Sequence, residues 1–394
     1  MKKTESKKLI SIFVILAIAL GNAGSTLYLP ALLIIKNTLT TTSTLMKLSL
    51  SLYLVTFGLS QLIYGPLSDA FGRRINLIAG LSIFFFGSLL TSFSASIEVF
   101  LLGRIIQGLG MGTSSGVGFA LIRDIYDGNE LTKQLSYLSV FVGMTPIIAP
   151  LFGGYLTQYL GWRSCFITLA ILALALSIAK FLFLPETNIN LDRKACHPHN
   201  IIKNYHFLLK SHLFLGFLLI TSLGFSSLMV INEMLPFMIT KSLGLSPTTY
   251  GWLSICTGGG YFSGAFVSGI LSAKFTKSKI LLIGASIPLV ILLIGLSIAL
   301  FYFNEWVIII PISIALFGIG FIVPMGTSGA MEPFPKMAGS ESALLGSSMF
   351  FISSIFTALS SILPEQSQIP MFLFLLALGI LTLLPLFLLK EVCC

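Results

Sequence analysis

The sequence predicts an all-α membrane protein of twelve transmembrane helices, arranged as two pseudo-symmetric six-helix bundles. Three observations predict it. Of 394 residues, 55% are hydrophobic and 9% charged, with a mean hydropathy of +0.97. Soluble domains carry roughly 25% charged residues, so lipid must solvate much of this chain. Apolar runs of about 20 residues, the length that crosses a bilayer, recur twelve times. A single polar stretch divides those runs six and six.

The runs fall at 9–29, 44–64, 75–96, 99–121, 134–157, 164–184, 212–238, 248–271, 279–302, 306–327, 341–362 and 369–389. The first follows the basic segment MKKTESKK and resembles a signal peptide. Eleven more runs follow it and Pro30 ends it, so it reads as an uncleaved span. The polar, basic stretch 185–211 is the expected linker between an N-terminal bundle (1–184) and a C-terminal bundle (212–394). The 33 Phe suit contact with acyl chains.

The net charge of +9 invites a nucleic-acid reading, but the positions of the charges oppose it. With both termini and the linker in the cytoplasm, 18 of the 23 Lys and Arg lie on the cytoplasmic side. Lys36, Lys47, Arg163 and Lys241 lie outside, and Arg104 lies within a span. The positive-inside rule selects this topology, and it makes the basic residues topogenic.

The five Cys are scattered and odd in number, which gives no disulfide framework. The run Cys196-His197-Pro198-His199 could hold a soft metal, but it lacks a partner cluster and Pro198 constrains it, so no metal is expected. The terminal pair Cys393-Cys394 reads as an ordinary reduced tail. No GxxxxGK[ST] phosphate loop occurs, so the energy source defaults to an ion gradient, and no cofactor is expected.

The halves carry an internal repeat. Gly65-Pro-Leu-Ser-Asp-Ala-Phe-Gly-Arg-Arg74 follows span 2, and Gly269-Ile-Leu-Ser-Ala-Lys-Phe-Thr-Lys-Ser278 follows span 8. Gly, Leu, Ser and Phe coincide at the same offsets, and Arg73 stands opposite Lys277.

The loop Gly65–Arg74 resembles the signature loop of the major facilitator superfamily. Four further segments narrow the likeness: Leu27–Leu32 (LYLPAL), Leu101–Gly112 running on to Ala120–Gly128, Ala149–Phe166, and Glu332–Gly346. Together they are similar to the bicyclomycin/chloramphenicol-resistance (Bcr/CflA) branch of drug:proton antiporters, over essentially the whole chain. The resemblance implies a monomeric multi-pass protein of the bacterial inner membrane whose partners are a small-molecule substrate, protons and the bilayer. Two departures stand out. Thr26 occupies the place of the branch's usual Asp in span 1, and Ala70 the place of a basic residue after the loop Asp.

Arg104 is the clearest candidate functional residue, because a mid-bilayer charge costs about 2.5–3.5 kcal/mol even on the lenient insertion scale. It lies one turn from Gln107, and Gly108, Gly112 and Gly116 follow at a spacing that lets another helix pack closely. The resemblance implies that it faces the central cavity and tunes proton coupling. Glu233 is the one acid placed in the interior of a span rather than at its end; it falls at a similar depth on span 7, so the pair are the expected proton-coupling groups. Asn22, Thr26, Tyr53, Gln107, Asn232 and Met325 are the candidate cavity residues. Gly65, Asp69, Gly72, Arg73, Arg74, Arg123 and Asp124 form the candidate gating loop, which the resemblance implies ties spans 2, 4 and 11 together; the start of span 11 offers Asp69 a positive helix end. Gly143, Pro146, Pro150, Gly153 and Gly154 make span 5 a kinked or tightly packed helix. The resemblance associates that pattern with antiporters.

The leading expectation is proton-coupled efflux of amphipathic small molecules or drugs. Proton symport, or export of one metabolite such as a siderophore, is the alternative. A membrane enzyme needs a cluster of His, Asp, Glu or Cys at one depth and a sensor needs a soluble domain; neither is present in the sequence.

Overall fold

The structure is a computed structural model that describes residues 3–126, 128–186, 188, 198–333 and 338–390. Twelve helices of 20 to 33 residues stand at the twelve expected positions: α1 (Lys3–Thr26), α3 (Ser43–Phe71), α4 (Arg73–Ser92), α5 (Ile97–Ile125), α6 (Gly128–Leu160), α7 (Arg163–Phe183), α9 (His212–Phe237), α10 (Pro247–Leu271), α11 (Lys277–Ala299), α12 (Glu305–Met331), α13 (Ala338–Ser360) and α14 (Ile369–Lys390). Two short helices, α2 (Leu32–Thr38) and α8 (Pro198–Leu209), complete the set. Among the described residues, ten segments are long and apolar enough to cross a membrane; glycines and hydroxyls dilute α10 below that level.

Local chemistry sets the boundaries. The side chains of Thr42, Ser211, Ser246 and Asn304 accept hydrogen bonds from the free amides that open α3, α9, α10 and α12. Pro30 sits in the 3-10 turn Leu29–Ala31 that separates α1 from α2. Gly72, at φ 98°, reverses the chain between α3 and α4, a conformation that penalises any residue with a Cβ. α6 continues as one helix through both Pro146 and Pro150.

The repeat detected in the loops extends to the packing. Gly80 of α4 crosses Gly110 of α5 so closely that an added Cβ on Gly110 would lie 2.5 Å from the Gly80 carbonyl. Gly284 of α11 crosses Gly318 of α12 in the same way, at 2.7 Å. The ion pairs repeat too. Arg73 at the start of α4 meets Asp124 at the end of α5, and Lys277 at the start of α11 meets Glu332 after α12. Arg73 and Lys277 are the residues that the loop comparison set opposite each other.

One end of the molecule, here termed the linker face, carries the start of α1, helix α8 and the end of α14; the opposite end is the far face. The hydrophobic core is continuous at the far face. There Leu27–Ile35 and the start of α3 share one cluster with Leu228–Ile239 and Tyr250 of the second half. At the linker face the core separates. One cluster, from Ile10 to Leu184, belongs to the first half, and another, from Leu208 to Leu389, belongs to the second. Glycines show the same contrast. Gly58, Gly154, Gly251 and Gly258 press on the other half, whereas Gly65, Gly269 and Gly339, at the linker ends of their helices, have open space where a side chain would stand.

The Gly80–Gly110 crossing predicts a sharp difference between two single methyl groups. Gly110→Ala should destabilise the folded protein by about 1–3 kcal/mol through overpacking, read as a lower thermal midpoint in detergent. Gly65→Ala should leave the midpoint unchanged. Equal midpoints for the two variants would contradict the close crossing.

Candidate functional site

Arg104 is wholly buried on α5, and it does not snorkel to either face. Its Nη1 donates to the Gly24 carbonyl at 2.9 Å and to the Gln107 side-chain oxygen at 2.6 Å. Its guanidinium lies between two aromatic faces, 4.4 Å from the Tyr28 ring centre and 4.3 Å from that of Tyr53. Gln107 passes the chain on, donating to Ser88 of α4 at 2.8 Å. Tyr53 donates to the Gly21 carbonyl at 2.7 Å, and the Tyr28 and Ser49 hydroxyls lie 2.9 Å apart. The arrangement uses what guanidinium offers and ammonium does not: a flat face for stacking and several donors in a fixed fork.

Glu233 is also wholly buried, but the two charges do not form an ion pair. The Ser360 hydroxyl of α13 donates to one carboxylate oxygen of Glu233, and the other has no hydrogen-bond partner among the described residues. The Tyr28 hydroxyl lies within electrostatic reach of both Arg104 and Glu233. The two expected proton-coupling groups therefore sit in separate nests: Arg104 donates through Nη1 to Gly24 and Gln107 and its Nη2 has no hydrogen-bond partner among the described residues, while Glu233 accepts from Ser360.

Glu233 has a different cationic neighbour, Lys47 at the start of α3. Lys47 read as a topogenic residue outside the membrane, yet it is 1% exposed. Its Nζ lies 3.0 Å from a carboxylate oxygen of Glu365, in the loop between α13 and α14, and 3.3 Å from the Leu363 carbonyl. The second Glu365 oxygen pairs with Lys241, after α9, at 2.7 Å. Burial works to raise the Glu365 carboxyl, but Lys241 and Lys47 outweigh it and hold the group below the ordinary carboxylate range. A depressed pKa contributes stability above the ordinary value and loses it as pH falls through the depressed one, so the cluster is intact at neutral pH. Sequence reading missed this cluster; the one signal was an acid, Glu365, in a far-face loop.

A cavity of about 90 Å³ lies between the halves. Asn22 and Ser25 of α1, Asn232 of α9, Ser254 and Thr257 of α10 and Tyr261 supply its polar wall, and Phe225, Met229 and Phe350 are among its apolar residues. None of its lining residues is charged. Drug-sized ligands fill pockets of about 300 Å³ or more, so cargo requires this cavity to widen. Asn22 and Asn232, two of the candidate cavity residues, are among its lining, and so is Pro146 of the span-5 motif. Thr26, Tyr53, Gln107 and Met325 do not. Thr26 bonds back to the Asn22 carbonyl, Tyr53 and Gln107 belong to the Arg104 nest, and Met325 packs in the linker-face core of the second half. Arg104 likewise stands behind α1 and α3 rather than on the cavity wall.

The loop after α3 is a network. Asp69 pairs with Arg73 at 2.6 Å, and Arg73 reaches Asp124 of α5 at 3.2 Å. Glu186, after α7, accepts from the backbone amides of Arg73 and Arg74 at 2.9 and 3.1 Å, which places an anion on the start of α4. Arg74 donates to the Phe181 carbonyl. The loop thus ties together α3, α4, α5 and the end of α7. Span 11, also expected in this tie, begins beside residues 334–337, which lie outside the described residues; Glu186 was not singled out in the sequence. The Arg123 side chain and the Cys196-His197 part of the histidine run lie outside the described residues. Among the described residues, no group of three or more His, Cys, Asp or Glu could hold a metal. Gly153 and Gly154 of α6 admit close contact with Leu27 and Pro247, and Pro150 contacts Gly251, so that motif serves the seam as well as the helix axis; Gly143 lies in the same helix.

Residues 14–358 match the family described as Major Facilitator Superfamily. The chain is 30% identical to multidrug resistance protein D of Escherichia coli (strain K12), covering 98% of this chain and 96% of that protein. It is 29% identical to the chloramphenicol resistance protein of Pseudomonas aeruginosa, covering 92% and 86%. Among solved structures, the D-xylose-proton symporter superposes with a TM-score of 0.77 at 16% identity over 97% of both chains. A partially occluded, inward-open form of the xylose transporter XylE from E. coli gives 0.74 at 15%, covering 99% and 98%.

The Arg104 nest predicts that charge alone is not enough. Arg104→Lys should lower the thermal midpoint in detergent well below that of Arg163→Lys, which alters an arginine over the single ring of Trp162. Equal midpoints would show that the stacking and the fork of donors contribute nothing.

Proposed function

The chain belongs to the Major Facilitator Superfamily, and from that premise we propose that it is a proton-coupled antiporter exporting amphipathic small molecules across the bacterial inner membrane. Membership makes it a membrane transporter and not an enzyme. Relatives named for multidrug and chloramphenicol resistance support efflux of drug-like cargo, and the uncharged, mixed polar and apolar cavity suits such molecules. The excess of Lys and Arg at the linker face supports placing both termini and the linker in the cytoplasm. In that orientation the fused far-face core closes the outer mouth and the divided linker-face core faces inward. The molecule works as a monomer that moves cargo and protons.

One observation carries the proton reading. Glu233 is a fully buried carboxyl on a cavity-lining helix, beside Asn232, with a single hydroxyl donor. A carboxyl that water reaches in one conformation and not in the other changes its proton occupancy between them. With Thr26 in place of the usual span-1 acid, Glu233 is the group positioned to carry a proton through the cycle. Arg104 shapes the surroundings through Tyr28 rather than by pairing with it.

The test is transport in proteoliposomes. Glu233→Gln should bind cargo and exchange it across the membrane at equal pH, but an imposed pH gradient should no longer drive accumulation. Gradient-driven transport at the wild-type rate would place the proton elsewhere. Cargo and protons moving in the same direction in the wild type would replace antiport by symport.

A further inference from the structure

Transporters built from two repeats work by rocking one bundle against the other around a central site. In the state described, the far mouth is shut. Most of what shuts it is apolar, but one contact is ionic. Lys47 belongs to the first bundle, and Glu365 and the Leu363 carbonyl belong to the second. Nearby, Ser51 and Thr357 form a second polar contact across the same seam at 2.8 Å, and deeper in, Phe57 meets Phe350 edge-on at 4.3 Å.

The cluster is asymmetric. Glu365 has two cations, and the second, Lys241, comes from its own bundle at 2.7 Å. The Ser242 hydroxyl, also from that bundle, holds the Glu365 carbonyl at 2.6 Å. If α3 draws away from the loop between α13 and α14, Glu365 keeps Lys241 and Ser242. Lys47 leaves with α3 and meets the water of the opened mouth. Neither charge is stranded in an apolar setting, which is what makes an ion pair reversible at a buried seam. Glu233 and the Phe237 ring are the other groups of the second bundle near the Lys47 ammonium.

We propose that Lys47 and Glu365 are the lock of the far mouth, with Lys241 as the cation that retains Glu365 when the lock parts. Lys47 and Glu365 are thus positioning residues for transport: they set which mouth is open and do not touch cargo. The proposal rests on the orientation given above, in which the far mouth opens to the outside, and it is independent of where the proton binds.

Coulomb's law gives the two lysines opposite signs. Lys47 attracts Glu365 only while the mouth is closed, so its loss favours opening. Lys241 attracts Glu365 in both states, but it repels Lys47 only in the closed one. Its loss therefore favours closing. A merely structural contribution would loosen the mouth in both variants.

The test follows the rate at which a membrane-impermeant maleimide, added outside intact cells, labels a cysteine on the cavity wall. The reporter is Ser254→Cys, with the five natural cysteines replaced by serine. Lys47→Met and Glu365→Gln should each label about tenfold faster than the parent, a shift that loss of one buried pair readily supplies. Lys47→Arg should label at close to the parent rate, and Lys241→Met more slowly than the parent. Parent-rate labelling in both Lys47→Met and Glu365→Gln would overturn the lock, as would Lys241→Met labelling as fast as Lys47→Met. Because labelling requires no proton movement, gradient-driven transport by Glu233→Gln would refute the proton reading while leaving this pattern intact.

Discussion

A charge withdrawn from water must be met by protein, and the first turns of α3 are where this molecule meets that demand. Lys47, Ser49, Ser51 and Tyr53 are all buried there. Ser49 and Tyr53 face their own bundle, where they join Tyr28, the Gly21 carbonyl and Arg104. Lys47 and Ser51 face the other bundle, where they meet Glu365 and Thr357. One helix therefore carries both the polar interior of its own half and the polar contact across the seam. If α3 moves relative to α13, the Lys47 and Ser51 contacts part, while the Arg104 nest, built from residues of its own bundle, travels with α3.

The duplicated architecture explains how such a movement avoids unfolding the halves. Within each half, a glycine crossing and an ion pair recur at equivalent places: Gly80–Gly110 and Arg73–Asp124 in one, Gly284–Gly318 and Lys277–Glu332 in the other. These contacts lie inside a bundle and survive a change at the seam. Among the described residues the seam is built differently, from glycine edges, the Ser51–Thr357 hydroxyl pair, the Phe57–Phe350 ring contact and the Lys47–Glu365 ion pair. The core is divided at the linker face and continuous at the far face.

The helices were legible in the sequence because lipid imposes a length and a composition on each span, and both are one-dimensional. Asn22 and Asn232 line the central cavity, and each is a polar side chain on the first helix of its half, a feature the sequence displays. Thr26, Tyr53 and Gln107 were polar and at the right depth as well. What separated them from the cavity was their azimuth around the helix, which packing decides and depth does not reveal. Lys47 was hidden for a related reason. At the start of a span, a lysine bound for the headgroups and one bound for a buried carboxylate look alike until a residue far along the chain arrives beside it. Glu186 shows the same limit, since a carboxylate after α7 gains its meaning from the exposed amides of α4.

On the proposed mechanism the two mouths open in opposition, with the ionic seam at α3 holding the outer one shut. Spin–spin distances measure this directly in a cysteine-free background. One pair of labels at Asn37→Cys and Gln366→Cys spans the far face, and another at Ile75→Cys and Lys279→Cys spans the linker face. The wild type without cargo should give a short far-face and a long linker-face distance. Adding Lys47→Met should shift population toward a long far-face and a short linker-face distance. Two distances that lengthen together, or a far-face distance indifferent to Lys47→Met, would contradict it.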